Sequence, residues 1–132
     1  MGRYAFFSTG LEYKFGFATQ ESSDIRLFGG VITTTKQDLK FGKFSHLWNL
    51  QKDGPYILDR LKEIIADTDI QLPDFAKFSP NLDGTHDLRV WFCDNGRKLY
   101  EWLSSECDEF ELGCLIYHQL LYEPDLSVGY EV

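Results

Sequence analysis

Alternating positions organise the first third of the chain. Tyr4 to Ser8 and Glu12 to Thr19 flank the turn-forming pair Thr9-Gly10. In the second run Tyr13, Phe15 and Phe17 share one face while Glu12, Lys14 and Gly16 share the other. This spacing predicts a β-hairpin carrying an aromatic ladder. Gln20 to Asp24 reads as a polar connector. Ile25 to Thr35 returns to β-branched residues around Gly29-Gly30, where a bulge or tight bend is expected, and Leu39 to Phe44 adds a short fourth strand. The period then changes. After Asp53-Gly54-Pro55, with Asp53 or a neighbour as cap and Pro55 in the first turn, Ile57, Leu58, Leu61, Ile64 and Ile65 form one apolar stripe, which predicts a helix covering the sheet.

The second half alternates less cleanly. Asp67 to Gly84 reads as loop, with a brief strand at Ile70 to Leu72, and Leu88 to Cys93 reads as strand. A second helix follows Asp94-Asn95-Gly96, with Leu99, Trp102 and Leu103 facing the core, and Ser104-Ser105-Glu106 ends it. Phe110 to Tyr122 suits a helix opened by Asp108 and Glu111, although Gly113 and the Leu, Ile and Tyr content also suit a strand; helix is the preferred reading. Ser127 to Val132 closes the chain as a strand. The pattern predicts a single α+β domain over residues 1–132, an antiparallel sheet led by an N-terminal β-hairpin and covered by two or three helices.

Composition narrows the class. The chain has 132 residues, 43% of them hydrophobic and 16% aromatic, which excludes an intrinsically disordered segment. No apolar run approaches the roughly 18 to 20 residues a membrane span needs. The three cysteines, Cys93, Cys107 and Cys114, cannot all pair within the chain and form no C-x-x-C motif, so a reducing compartment is expected, with no metal. Met1 to Phe6 offers Gly2 for myristoylation but lacks the hydroxyl residue that signal requires, and no basic leader precedes an apolar segment. The expected location is the cytoplasm where the chain is made.

Tyr13-Lys14-Phe15-Gly16-Phe17-Ala18 has the basic-aromatic-glycine-aromatic order of an RNA-recognition core. It lacks the glycine between the basic residue and the first ring, and a formal charge of -8 opposes phosphate binding. Asn81-Leu82-Asp83-Gly84-Thr85 has the outline of the first motif of haloacid-dehalogenase phosphatases, but an amide at Asn81 cannot form an aspartyl-phosphate, and Asp-Gly-Thr is ordinary turn chemistry. His86-Asp87 with Cys93 beyond it is the bare outline of a cysteine hydrolase; in a strand, however, adjacent side chains point to opposite faces. His46 and His118 have no partner at a ligand spacing. No catalytic, cofactor-binding or metal-binding residue is assigned, and no cofactor is expected.

Charge separates the halves. Residues 1–66 carry 9 basic and 7 acidic side chains, and residues 67–132 carry 4 and 14. The second half therefore offers an acidic surface, suited to solvent or to a basic protein partner.

Gly2 to Phe15, followed by Ser22-Ser23-Asp24-Ile25 and Phe28-Gly29-Gly30, resembles uncharacterised proteins of giant DNA viruses of amoebae, the marseillevirus group in particular, most strongly over residues 1–30. The resemblance implies a viral accessory or particle-associated protein made in host cytoplasm or carried in the virion, and brings no catalytic motif. The combined reading is a non-enzymatic protein acting through self-association, as a homodimer, and protein-protein contacts, with Tyr13, Phe15 and Phe17 as interaction residues. One alternative is a small enzyme or ligand-binding domain with a pocket near His86 and Asp87, joined by His118. Another is nucleic-acid binding by the N-terminal strands through Lys14, Lys36, Lys40 and Lys43, which the net charge disfavours.

Overall fold

The computed structural model describes residues 4–14, 25, 27–34 and 43–131. A five-stranded antiparallel sheet has the order β2-β1-β5-β4-β3, with β1 at Tyr4–Phe7, β2 at Glu12–Lys14, β3 at Val31–Ile32, β4 at Lys43–Asn49 and β5 at Asp125–Glu131. Four α-helices occupy the described residues: α1 (Leu50–Ile64), α2 (Leu82–Asp94), α3 (Gly96–Leu103) and α4 (Cys107–Tyr122). The α+β class and the N-terminal hairpin are as the sequence pattern predicts. Phe15 to Thr19, the Gln20 to Asp24 connector and residues 39–42 lie outside the described residues.

The hairpin forms because Gly10 takes φ 99°, a left-handed conformation open to glycine. The Phe7 N–H then donates to the Leu11 carbonyl at 2.8 Å. Gly29 and Gly30 are also left-handed, at φ 80° and 84°, and make the expected bend. A Cβ on Gly30 would lie 2.6 Å from His46 Nε2, so the backbone must come this close to let His46 donate to the Gly29 carbonyl at 2.5 Å. Trp48 Nε1 donates to the Phe28 carbonyl beside it.

α1 begins earlier than Asp53. Asn49 caps it by accepting from the Lys52 N–H at 3.0 Å. Asp53 reaches back to accept from the Asn49 N–H at 2.8 Å, and Asn49 Nδ2 donates to Asp125 at the start of β5. Pro55 consequently sits inside the helix, in its second turn. Ile57, Leu61 and Ile65 of the apolar stripe are buried.

The region around α2 departs furthest from expectation. Leu88 to Cys93 is helix, not strand, and Ile70 to Leu72 forms no strand. Asn81 caps α2 by accepting from the Gly84 N–H at 2.9 Å, and Leu88 and Phe92, one helical turn apart, are buried while Val90 between them is 43% exposed. Trp102 is also turned outward, although Leu99 and Leu103 face the core as predicted. Phe110 to Tyr122 is helical, and Gly113 lies where α4 meets its neighbours. A Cβ there would come within 2.4 Å of Phe28 and 2.7 Å of Leu61. α1 and α4 lie on the sheet, while α2 and α3 pack against α4.

Candidate functional site

Strand alternation assigns the two faces of the sheet. Ala5, Phe7, Tyr13, His46, Trp48, Leu126, Val128 and Tyr130 point inward, under the helices, and are buried. Tyr4, Phe6, Ser45, Leu47, Ser127 and Gly129 share the opposite face. On that outer face Phe6 is 45% exposed, Leu47 40% and Val31 51%. The rings of Tyr4 and Phe6 stack at 6.2 Å.

Register arranges these groups around a low centre. Phe6 is opposite Gly129, and Gly129 is opposite Ser45. One step along, Ser127 is opposite Leu47, and Leu47 opposite Val31. The central strand thus contributes only Ser127 and Gly129 here, with Phe6 and Tyr4 on one flank and Leu47 and Val31 on the other. A Cβ on Gly129 would meet no atom within 4 Å, so the trough above β5 is open. Of the expected interaction residues, Tyr13 is buried opposite Ala5, while Phe15 and Phe17 lie outside the described residues. β1 is apolar on both faces, so its sequence alone does not turn Tyr4 and Phe6 outward, and Leu47 and Val31 take their face from the pairing register.

The histidines differ in burial. His86 and Asp87 are both exposed on α2, whereas His118 is fully buried. His118 Nε2 donates to the Ser79 carbonyl at 3.0 Å, and its Nδ1 lies 3.1 Å from Thr85 Oγ1 and 3.3 Å from Gln119 Nε2. Gln119 Nε2 also donates to Thr85 Oγ1 at 2.6 Å, and its Oε1 accepts from Thr9 at 2.5 Å. Burial holds the His118 pKa below the ordinary histidine value, opposed by the backbone bonds to Ser79 and Phe78.

Cys93 borders a hollow of about 330 Å³ with Arg89, Phe92 and Glu111. Burial and the neighbouring Asp108 push the Glu111 pKa up, with Arg89 acting in the opposite sense. Burial likewise raises the Cys107 and Cys114 thiols, aided at Cys107 by Asp108 and Glu111 and at Cys114 by Glu111. These two are poor nucleophiles in such surroundings. Among the described residues no group of three or more His, Cys, Asp or Glu side chains is placed to hold a metal ion.

The helical layer carries most of the charge. Residues 50–122 hold 7 basic and 14 acidic side chains, against 6 and 7 in the rest of the chain. One layer is acidic, and the five strands, whose charged residues are Glu12, Lys14, Lys43, Asp125 and Glu131, are close to neutral. Comparison with protein-family models, with curated proteins and with solved structures finds no match for this chain.

Proposed function

We propose that this is a binding protein that self-associates, two copies meeting through the outer faces of their sheets. The observation that carries the reading is the open trough over Ser127 and Gly129, flanked by Phe6 and Leu47. A twofold axis through such a face lets the Phe6 ring of each copy fill the trough of the other, giving an isologous contact. Charge supports the same occupant. A second copy of an acidic chain meets least repulsion where the near-neutral sheets oppose each other and the acidic helices point away. Those helices then remain open to a basic partner. The resemblance of residues 1–30 to marseillevirus-group proteins is compatible with an accessory or particle role for the dimer.

Size sets the expected strength. The 23 strand residues, each spanning about 3.4 Å along a strand and about 4.8 Å across it, give a face of roughly 400 Å² per copy. About 800 Å² for the pair falls short of the roughly 1,000 Å² that a stable interface clears, so the contact is expected to be a weak one, formed at micromolar rather than nanomolar concentrations. Sedimentation equilibrium tests it. A dimer at tens of micromolar that dissociates in Phe6→Asp is the expected result, and a strict monomer at that concentration overturns the proposal.

A further inference from the structure

We propose that the start of α2 and the segment before it are fastened to α4 by a lock that holds only while His118 is neutral, so that acidification opens this seam while the sheet stays intact. The lock has a defined donor order. The Ser79 carbonyl requires a proton on Nε2 of His118, which leaves Nδ1 as acceptor in the neutral ring. The single hydroxyl hydrogen of Thr85 is directed to the Asn81 carbonyl at 3.0 Å, and one amide hydrogen of Gln119 goes to Thr85 Oγ1. Gln119 is itself held by Thr9, whose hydroxyl occupies Oε1. The second Gln119 amide hydrogen therefore faces Nδ1. A proton on Nδ1 would displace that amide hydrogen and would have Thr85 Oγ1, 3.1 Å away and already accepting from Gln119, as its acceptor.

Among the described residues no charged side chain acts on the ring to offset it. The groups meeting the ring are Thr85 from α2, Gln119 from α4, and the carbonyls of Ser79 and Phe78 from the preceding segment, with Thr9 of the β1–β2 turn behind Gln119. All are uncharged and none titrates near neutral pH. A buried imidazolium without a carboxylate is costly, so proton uptake is coupled to exposure of the ring. The ring's bonds run to residues 79 and 85 rather than to the strands, which localises the opening. The segment it releases is tightly coiled. A Cβ on Gly84 would lie 1.7 Å from the Ser79 carbonyl oxygen, and the same oxygen accepts from the Asn81 N–H at 2.8 Å.

The sign follows from linkage. With the folded pKa lowered, the open form takes the proton first, so the lock is at full strength above about pH 6.5 and weakens as pH falls below it. The test is an NMR titration of the intact protein from about pH 8 to 5, following the three histidine rings and amide exchange corrected for its intrinsic rate. The His118 ring is expected to take up its proton only as this seam opens. The amides of Gly84 and Thr85 should lose protection by about tenfold per pH unit below about 6.5, with Trp48 and Val128 amides unchanged. A His118 ring that titrates at the ordinary value with those amides still protected overturns the proposal. So does an unchanged pH response in His118→Gln, whose carboxamide can still donate to Ser79. If that variant does not fold, the wild-type titration decides the matter alone.

Discussion

Gly84→Ala puts one methyl group where the backbone leaves no room. The residue is in the first turn of α2, and its added Cβ would stand 1.7 Å from the carbonyl oxygen of Ser79, 2.6 Å from that carbonyl carbon and 2.7 Å from the Ser79 nitrogen. All three are main-chain atoms, so no side-chain rotation relieves the contact. Separation to van der Waals distance requires moving the 79–81 segment, and the Ser79 carbonyl accepts from both His118 Nε2 and the Asn81 N–H. Overpacking costs about 1–3 kcal/mol. The two weakened hydrogen bonds add about 1 kcal/mol each. Alanine returns about 1 kcal/mol through its better helix propensity. The net expectation is a loss of about 2–4 kcal/mol, or roughly 7–14 °C in Tm for a chain of this length. Gly96→Ala serves as the comparison, because it opens α3 and its Cβ would meet nothing within 4 Å. There the same substitution should be neutral or stabilise by up to about 1 kcal/mol. Thermal unfolding followed by circular dichroism reads both. If Gly84→Ala melts with or above the wild type, the crossing of Ser79 over α2 is not as described.

Two further outcomes follow from the same packing. Asn49→Ala removes the cap of α1 together with the Asp125 bond and should cost about 1–2 kcal/mol in chemical denaturation; an unchanged midpoint would mean another group caps this helix. Thiol labelling should proceed in the order Cys93, Cys107, Cys114, with exposed Cys93 fast and buried Cys114 reacting only on unfolding. Equal rates for Cys93 and Cys114 in the native protein would contradict the placement of α4.

How much of this was legible depends on whether a signal was local. The Thr9-Gly10 turn, the Ile57-to-Ile65 stripe and the Gly29-Gly30 bend announce themselves within a few residues, and the structure bears them out. α2 did not, because Leu88, Val90 and Phe92 alternate like a strand and Pro80 and Gly84 look like loop. Thr85, Leu88 and Phe92 also satisfy helical spacing, and packing against α4 decided in favour of that second pattern. Local spacing places Trp102 inside as well, yet α3 buries only Leu99 and Leu103. The outer sheet face was illegible for a different reason. Whether Phe6 or Phe7 points inward depends on pairing with Gly129 and Val128 at the far end of the chain, and strand composition does not report on distant partners. The His118 lock was invisible likewise, since Ser79, Thr85 and Gln119 come from separate segments.

The placement of β5 bears on how the sheet comes into being. This strand follows every other described element in the chain yet stands at the centre, bonded to β1 on one side and β4 on the other. Until it docks, β1–β2 and β3–β4 are two separate hairpins, each marginal in water. Assembly is therefore a late closure over a long stretch of chain, which favours slow folding after the helices have formed. During that interval β1 and β4 present unpaired edges, the kind of surface on which a newly made chain can capture another.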